Sequence, residues 1–136
     1  AMSSPEVTGD QDDGLLTMDK VIALRLDADW VVLSACNTAA GEGSGSEAVS
    51  GLGRAFFFAG ARAVLVSNWP VDSVASRQLM TDLFKRQKQN QGLAKSEALR
   101  QAMLYQVDQG GMREGNTMKY SYAHPLFWAP FVVVGD

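Results

Sequence analysis

The chain has 136 residues, 46% hydrophobic and 20% charged, which is the size and make-up of one globular domain rather than of a tail or a linker. A formal charge of −3 and an isoelectric point near 5.1 leave no cationic surplus, so binding of nucleic acid through its phosphates is excluded as the main activity. The longest apolar runs, 55–61 and 127–134, fall far short of the ~20 residues a membrane-spanning helix requires, and neither has the position or flanks of a signal peptide.

A single cysteine excludes an internal disulfide, so Cys36 is a free thiol, a metal ligand with unusual partners, or a nucleophile. The compartment stays undetermined, with the cytoplasm preferred to secretion. Ala1-Met2 reads as a cloning scar, and residues 3–13, rich in Ser, Gly, Asp and Pro, as a loop entered in its middle. The folded unit is therefore expected over 14–136.

From Thr17, whose hydroxyl is placed to cap the first free amides, Met18, Val21 and Ile22 predict one or two helical turns. Trp30-Val31-Val32-Leu33 then predicts a strand buried on both faces, ending at Ser34-Ala35-Cys36. The run from Gly41 to Gly45 is a glycine loop, followed by a helix starting at Ser46-Glu47, with Val49, Leu52 and Phe56 on one face and Gly60 as its stop. Gly51 and Gly53 inside that helix predict its close approach to a sheet, since each costs ~1 kcal/mol against alanine.

Ala63 to Ser67 predicts a second buried strand, closed by Asn68-Trp69-Pro70. Two helices follow. The first carries Val71, Ala75, Leu79 and Leu83 on one stripe and stops in the polar run 85–91; the second carries Ala94, Ala98, Leu99, Ala102 and Met103. Residues 110–121 read as a polar, glycine-rich loop, and 127–134 as a last strand interrupted by Pro130, which marks a sheet edge. This α/β order makes the first two strands parallel neighbours, and the two-helix return makes the last strand antiparallel.

In open α/β sheets ligands bind beyond the C-terminal ends of the parallel strands, where Cys36 stands. A thiol there is a nucleophile if a cation, a helix N-terminus or an imidazole ionises it, and otherwise a small buried hydrophobe. Asp72 follows the neighbouring strand; its carboxylate either lines a pocket for a basic side chain or caps the next helix. Trp69 either walls that pocket or fills core with its N–H satisfied locally. Arg62 suits a structural ion pair. No Cys-x-x-Cys, His-Glu-x-x-His or phosphate-loop pattern occurs, so no metal and no cofactor is expected.

Several spaced blocks carry a resemblance: Leu33-Ser34-Ala35-Cys36-Asn37-Thr38, Gly51-Leu52-Gly53-Arg54-Ala55-Phe56, Ala59-Gly60-Ala61-Arg62-Ala63-Val64, Asn68-Trp69-Pro70-Val71-Asp72, and His124-Pro125 with Trp128-Ala129-Pro130-Phe131-Val132. Together they resemble the bacterial CHAT family over roughly residues 14–136, as the C-terminal part of such a domain. The resemblance implies a three-layer caspase-like fold related to separase, with a mostly parallel sheet and an antiparallel last strand at its edge. It implies a cysteine endopeptidase with Cys36 as nucleophile and Asp72 and Trp69 at a substrate pocket.

The family's histidine-glycine pair is expected upstream of Ser3, because no histidine precedes Cys36. His124 is an alternative base, or else holds loop backbone as the lead-in to the last strand. Implied partners are a protein or peptide substrate, TPR repeats or other domains in the same full-length chain, and a second copy through an exposed sheet edge. The alternative function is a non-catalytic interaction module.

Overall fold

The computed structural model describes residues 16–33 and 45–135; Cys36, the glycine loop over 41–44 and the side chains of Ser46, Glu47, Val49 and Leu52 lie outside them. The elements in chain order are α1 (Met18–Ala23), β1 (Val31–Leu33), α2 (Gly45–Phe58), β2 (Ala63–Ser67), α3 (Ser73–Gln89), α4 (Lys95–Gln109), β3 (Gly111–Glu114), β4 (Thr117–Ser121), a 3-10 turn (Pro125–Phe127) and β5 (Phe131–Gly135).

The main sheet has the order β1-β2-β5. β1 and β2 run parallel with Leu33 opposite Val66, and β5 runs antiparallel to β2 with Phe131 opposite Ser67. Both directions agree with the expectation from the sequence. The described sheet is mixed, one parallel and one antiparallel ladder, rather than mostly parallel. β2 is buried along its whole length, and its side chains alternate between two apolar clusters. Val64 and Val66 join Val21, Ala55, Phe56 and Ala59 on the α1/α2 side. Leu65 joins Leu79, Leu83, Leu99, Ala102 and Phe131 on the α3/α4 side.

The two helix pairs are staggered, and this corrects the expectation that β1 is buried on both faces. Val31 and Leu33 pack with the α1/α2 cluster, but Val32, in register with Leu65, is 43% exposed because α3 and α4 lie over β2 and β5 instead. On β5 the opposite holds: Phe131 and Val133 meet α3/α4, whereas Val132 and Val134 are exposed. Trp30 stands before the strand rather than in it, set edge-on against Phe84 with its indole N–H on Gln87 Oε1 at 3.4 Å.

Helix boundaries follow local chemistry. α2 ends in a Schellman arrangement, with Gly60 N donating to Phe57 O and Ala61 N to Phe56 O. Gly60 takes φ +106°, and a Cβ there would lie 2.1 Å from Leu26 O. Gly51 does allow a close approach, but to Met18 of α1 rather than to the sheet, and Gly53 faces open space. Thr17 stands at the N-cap of α1 without bonding its first amides through its hydroxyl. Buried Ala75, Leu79 and Leu83 form the expected stripe on α3, while Gln106 of α4 reaches across to Ala75 O at 3.2 Å.

Two sequence expectations fail near the C-terminus. Residues 111–121 form an antiparallel hairpin, not a loop, because Gly115 at φ +60° with Asn116 makes a two-residue reversal between the two strands. The register shifts between Met112 and Arg113, a β-bulge. The hairpin is fastened to α3 by Gln78, whose amide donates to Gly111 O at 3.0 Å and whose carbonyl accepts from Gly111 N at 3.3 Å. The last strand begins after Pro130, with Pro125 to Phe127 in a 3-10 turn, since proline has no N–H to offer the ladder.

Gly60→Ala is expected to destabilise the chain by at least about 2 kcal/mol, through a disfavoured φ together with the clash on Leu26 O. Equilibrium urea unfolding measures it.

Candidate functional site

β1 and β2 point their C-terminal ends the same way, and β5 starts at that end, so Leu33, Ser67 and Phe131 lie along one margin of the sheet. Cys36 follows Leu33 by three residues and lies outside the described ones. What the structure displays is the neighbouring part of the margin, built from the segment after β2 and the segment before β5.

Trp69 is 37% exposed and not core; its indole N–H donates to Leu126 O at 3.3 Å. His124 is exposed, and its Nδ1 accepts from Leu126 N at 3.2 Å, capping the 3-10 turn. The two side chains thus grip opposite ends of one residue's backbone. With Nδ1 accepting from a backbone amide, that nitrogen is committed to the turn. The backbone-holding role weighed for His124 is the one observed.

Asp72 stands at the N-cap of α3, where its Oδ1 accepts from Val74 N at 3.0 Å and Ala75 N at 2.9 Å. Such caps contribute ~1 kcal/mol to helix stability. The cap leaves Oδ2 uncommitted to these amides, and the side chain is exposed. The cap reading is therefore observed, and it does not exclude a charged surface at the same place.

The residue that sequence reasoning missed is Tyr122. It is fully buried against Phe127, with ring centroids 4.8 Å apart, and edge-on to Tyr120 at 5.7 Å. Its hydroxyl lies near Tyr120 and Asp72 without a hydrogen bond of normal geometry. Burial, aided by those two neighbours, pushes its pKa up to about 12. The backbone beside it is anchored too: Tyr122 N donates to Gly110 O at 3.0 Å, and Trp128 Nε1 to Ala123 O at 3.0 Å. No sequence signal sets it apart from Tyr120, which is exposed two residues earlier; its burial comes from packing against Phe127.

Trp69, Asp72 and His124 are thus gathered around one segment, 122–127, rather than scattered. The sequence profile of the CHAT domain matches residues 2–136. The chain belongs to the CHAT family. This family is related to caspase-like peptidases. Among curated proteins, the CHAT chain is 36% identical over 122 residues to tetratricopeptide repeat protein 28 of Mus musculus and 34% identical over 122 residues to that of Homo sapiens. In both cases the alignment covers 90% of this chain and 4% of the relative, so the chain spans a small fraction of their length. No solved structure matches the CHAT chain.

Tyr122 gives a pH prediction. A phenol whose folded pKa is raised contributes stability that is whole below the unfolded pKa of ~10 and is lost as pH rises towards about 12. Phenolate absorbance is expected to show a late-titrating tyrosine, absent in Tyr122→Phe, with unfolding midpoints falling more steeply across that window in the parent chain than in the variant.

Proposed function

We propose that this CHAT chain carries the nucleophile of a cysteine endopeptidase of the caspase and separase type, in a three-layer caspase-like domain. Cys36 is the nucleophile, and the base is a histidine supplied from upstream of Ser3. The observation that carries the reading is the parallel β1–β2 pair, with Cys36 three residues in sequence after Leu33, the last residue of β1. The thiolate attacks the scissile carbonyl, imidazole protonates the departing amine, and backbone amides, the Cys36 amide among them, stabilise the oxyanion. Asp72 lines the pocket for an arginine or lysine before the cut, and Trp69 forms its wall.

A second reading is a non-catalytic interaction module, favoured by one observation: the curated relatives are named tetratricopeptide repeat proteins. TPR repeats or other domains in the same full-length chain are part of either reading. An upstream sequence without a histidine-glycine pair after a strand decides for the module.

In the full-length protein, an arginyl peptide carrying a thiol-reactive group is expected to label Cys36, and Cys36→Ala to abolish cleavage; unchanged cleavage by that variant rejects the peptidase. Asp72→Asn retains a capping side chain but loses the charge, so preference for arginine before the cut is expected to fall about tenfold while the unfolding midpoint holds.

For the 136-residue chain itself we propose self-association through a sheet edge. β1 and β5 are the outer strands of the described sheet, with Val32, Val132 and Val134 exposed on them. Light scattering is expected to show mass rising with concentration; a monomer at all concentrations contradicts it.

A further inference from the structure

Away from the sheet margin, an open groove of about 430 Å³ runs along the outer side of α3, between α4 and the β3 strand. Arg77, Thr81 and Lys85 line it from α3 at intervals of four residues, on one ridge inclined to the helix axis. Tyr105 and Gln109 face them from α4, and Arg113 of β3 lines the same groove. The strand that carries Arg113 is anchored to α3 by the two hydrogen bonds between Gln78 and Gly111, two residues earlier.

The charge of this groove runs against that of the chain. Arg77, Lys85 and Arg113 are exposed, and none of the three has an ion-pair partner among the described residues. The carboxylate lining the groove, Asp82, is already taken by Arg86 at 2.5 Å; Arg86 in turn bonds Gln101 Oε1 at 3.2 Å and lies over the Tyr105 ring. Three uncompensated cations thus converge on a polar trough in a protein of net charge −3. Hydroxyl and amide groups between them suit a ligand of the same spacing. Long-range repulsion from the acidic chain disfavours a polyanion as large as nucleic acid, while a short anionic peptide feels chiefly the local charge.

We propose that this groove is a docking site for an extended acidic peptide segment whose carboxylates stand four residues apart. Arg77 and Lys85 are eight residues apart on a helix, roughly 12 Å along its axis. Carboxylates at positions i and i+4 of an extended chain are separated by roughly 13 Å on the same face, and the middle one of the three residues between them faces Thr81. Arg113 closes one end against the peptide's next acidic group or its terminal carboxylate. The site does not involve Cys36 and is independent of peptidase activity.

Fluorescence anisotropy with the 136-residue chain tests it, using a fluorescein-labelled Asp-Ser-Ser-Ser-Asp peptide and its isomer Asp-Asp-Ser-Ser-Ser. The spaced peptide is expected to bind at least about fivefold tighter than the isomer, and Arg77→Glu or Lys85→Glu to weaken it at least about tenfold. Arg77→Gln and Lys85→Gln are expected to act in the same direction with unchanged unfolding midpoints, and Arg25→Glu to leave binding unaltered. Absence of binding, equal affinity for the two isomers, indifference to the Arg77 and Lys85 variants, or equally tight binding of a thymidine oligonucleotide overturns the proposal.

Discussion

Burial of β2 on both faces is the constraint from which the remaining structure follows. Five consecutive residues, Ala63 to Ser67, are closed off from water, so their backbone groups have to be paired within the protein. β1 meets that demand on one edge and β5 on the other. Their side chains need apolar cover above and below, which α1 and α2 give to Val64 and Val66, and α3 and α4 give to Leu65. Because each helix pair covers β2 and only one neighbour, the exposed valines of β1 and β5 appear on opposite faces. The staggering is a geometric result of two helix pairs sharing one central strand.

The margin beyond β2 shows how a turn with little regular structure can still be held in place. The 3-10 turn leaves an amide and a carbonyl of Leu126 without partners in a ladder, and His124 and Trp69 take them. Tyr122 and Phe127 supply the apolar footing beneath. Asp72 is fixed by the helix it caps, so the carboxylate's place is set by α3 rather than by the loop. Side chains that sequence reading places as pocket residues are therefore also the ones that brace this end of the sheet.

Periodicity made much of this legible in advance. The unbroken run Ala63–Val66 announced a central strand, the stripe Ala75, Leu79, Leu83 a helix on its face, and the count of helices between strands the antiparallel return of β5. What escaped depended on long-range packing. A continuous apolar run cannot reveal that Val32 falls beyond the reach of α3, and a glycine in a helix does not say which neighbour comes close. The 111–121 hairpin was readable from Gly115-Asn116, but its polar, exposed strands carry no burial pattern to separate them from loop. At the candidate site the residues were nameable and their bonds were not. The Leu126 backbone that unites His124 and Trp69 has no side-chain signature.

Arg62 joins Asp27 at 2.8 Å and Asp29 at 2.6 Å, just where the chain enters β1 and where Ala28 bridges Ala61. Exposed pairs of this kind contribute little energy each. Their spacing is another matter. Asp27 and Asp29 flank Ala28, so a slip of one residue between the parallel strands presents the guanidinium with Leu26 and Ala28, or with Ala28 and Trp30. Either slip would leave both carboxylates stranded and reverse every inward side chain of β1. The Asp-Ala-Asp step thus favours the observed register, alongside the burial of Val31 and Leu33. It governs where the far end of β1 delivers the chain that continues to Cys36.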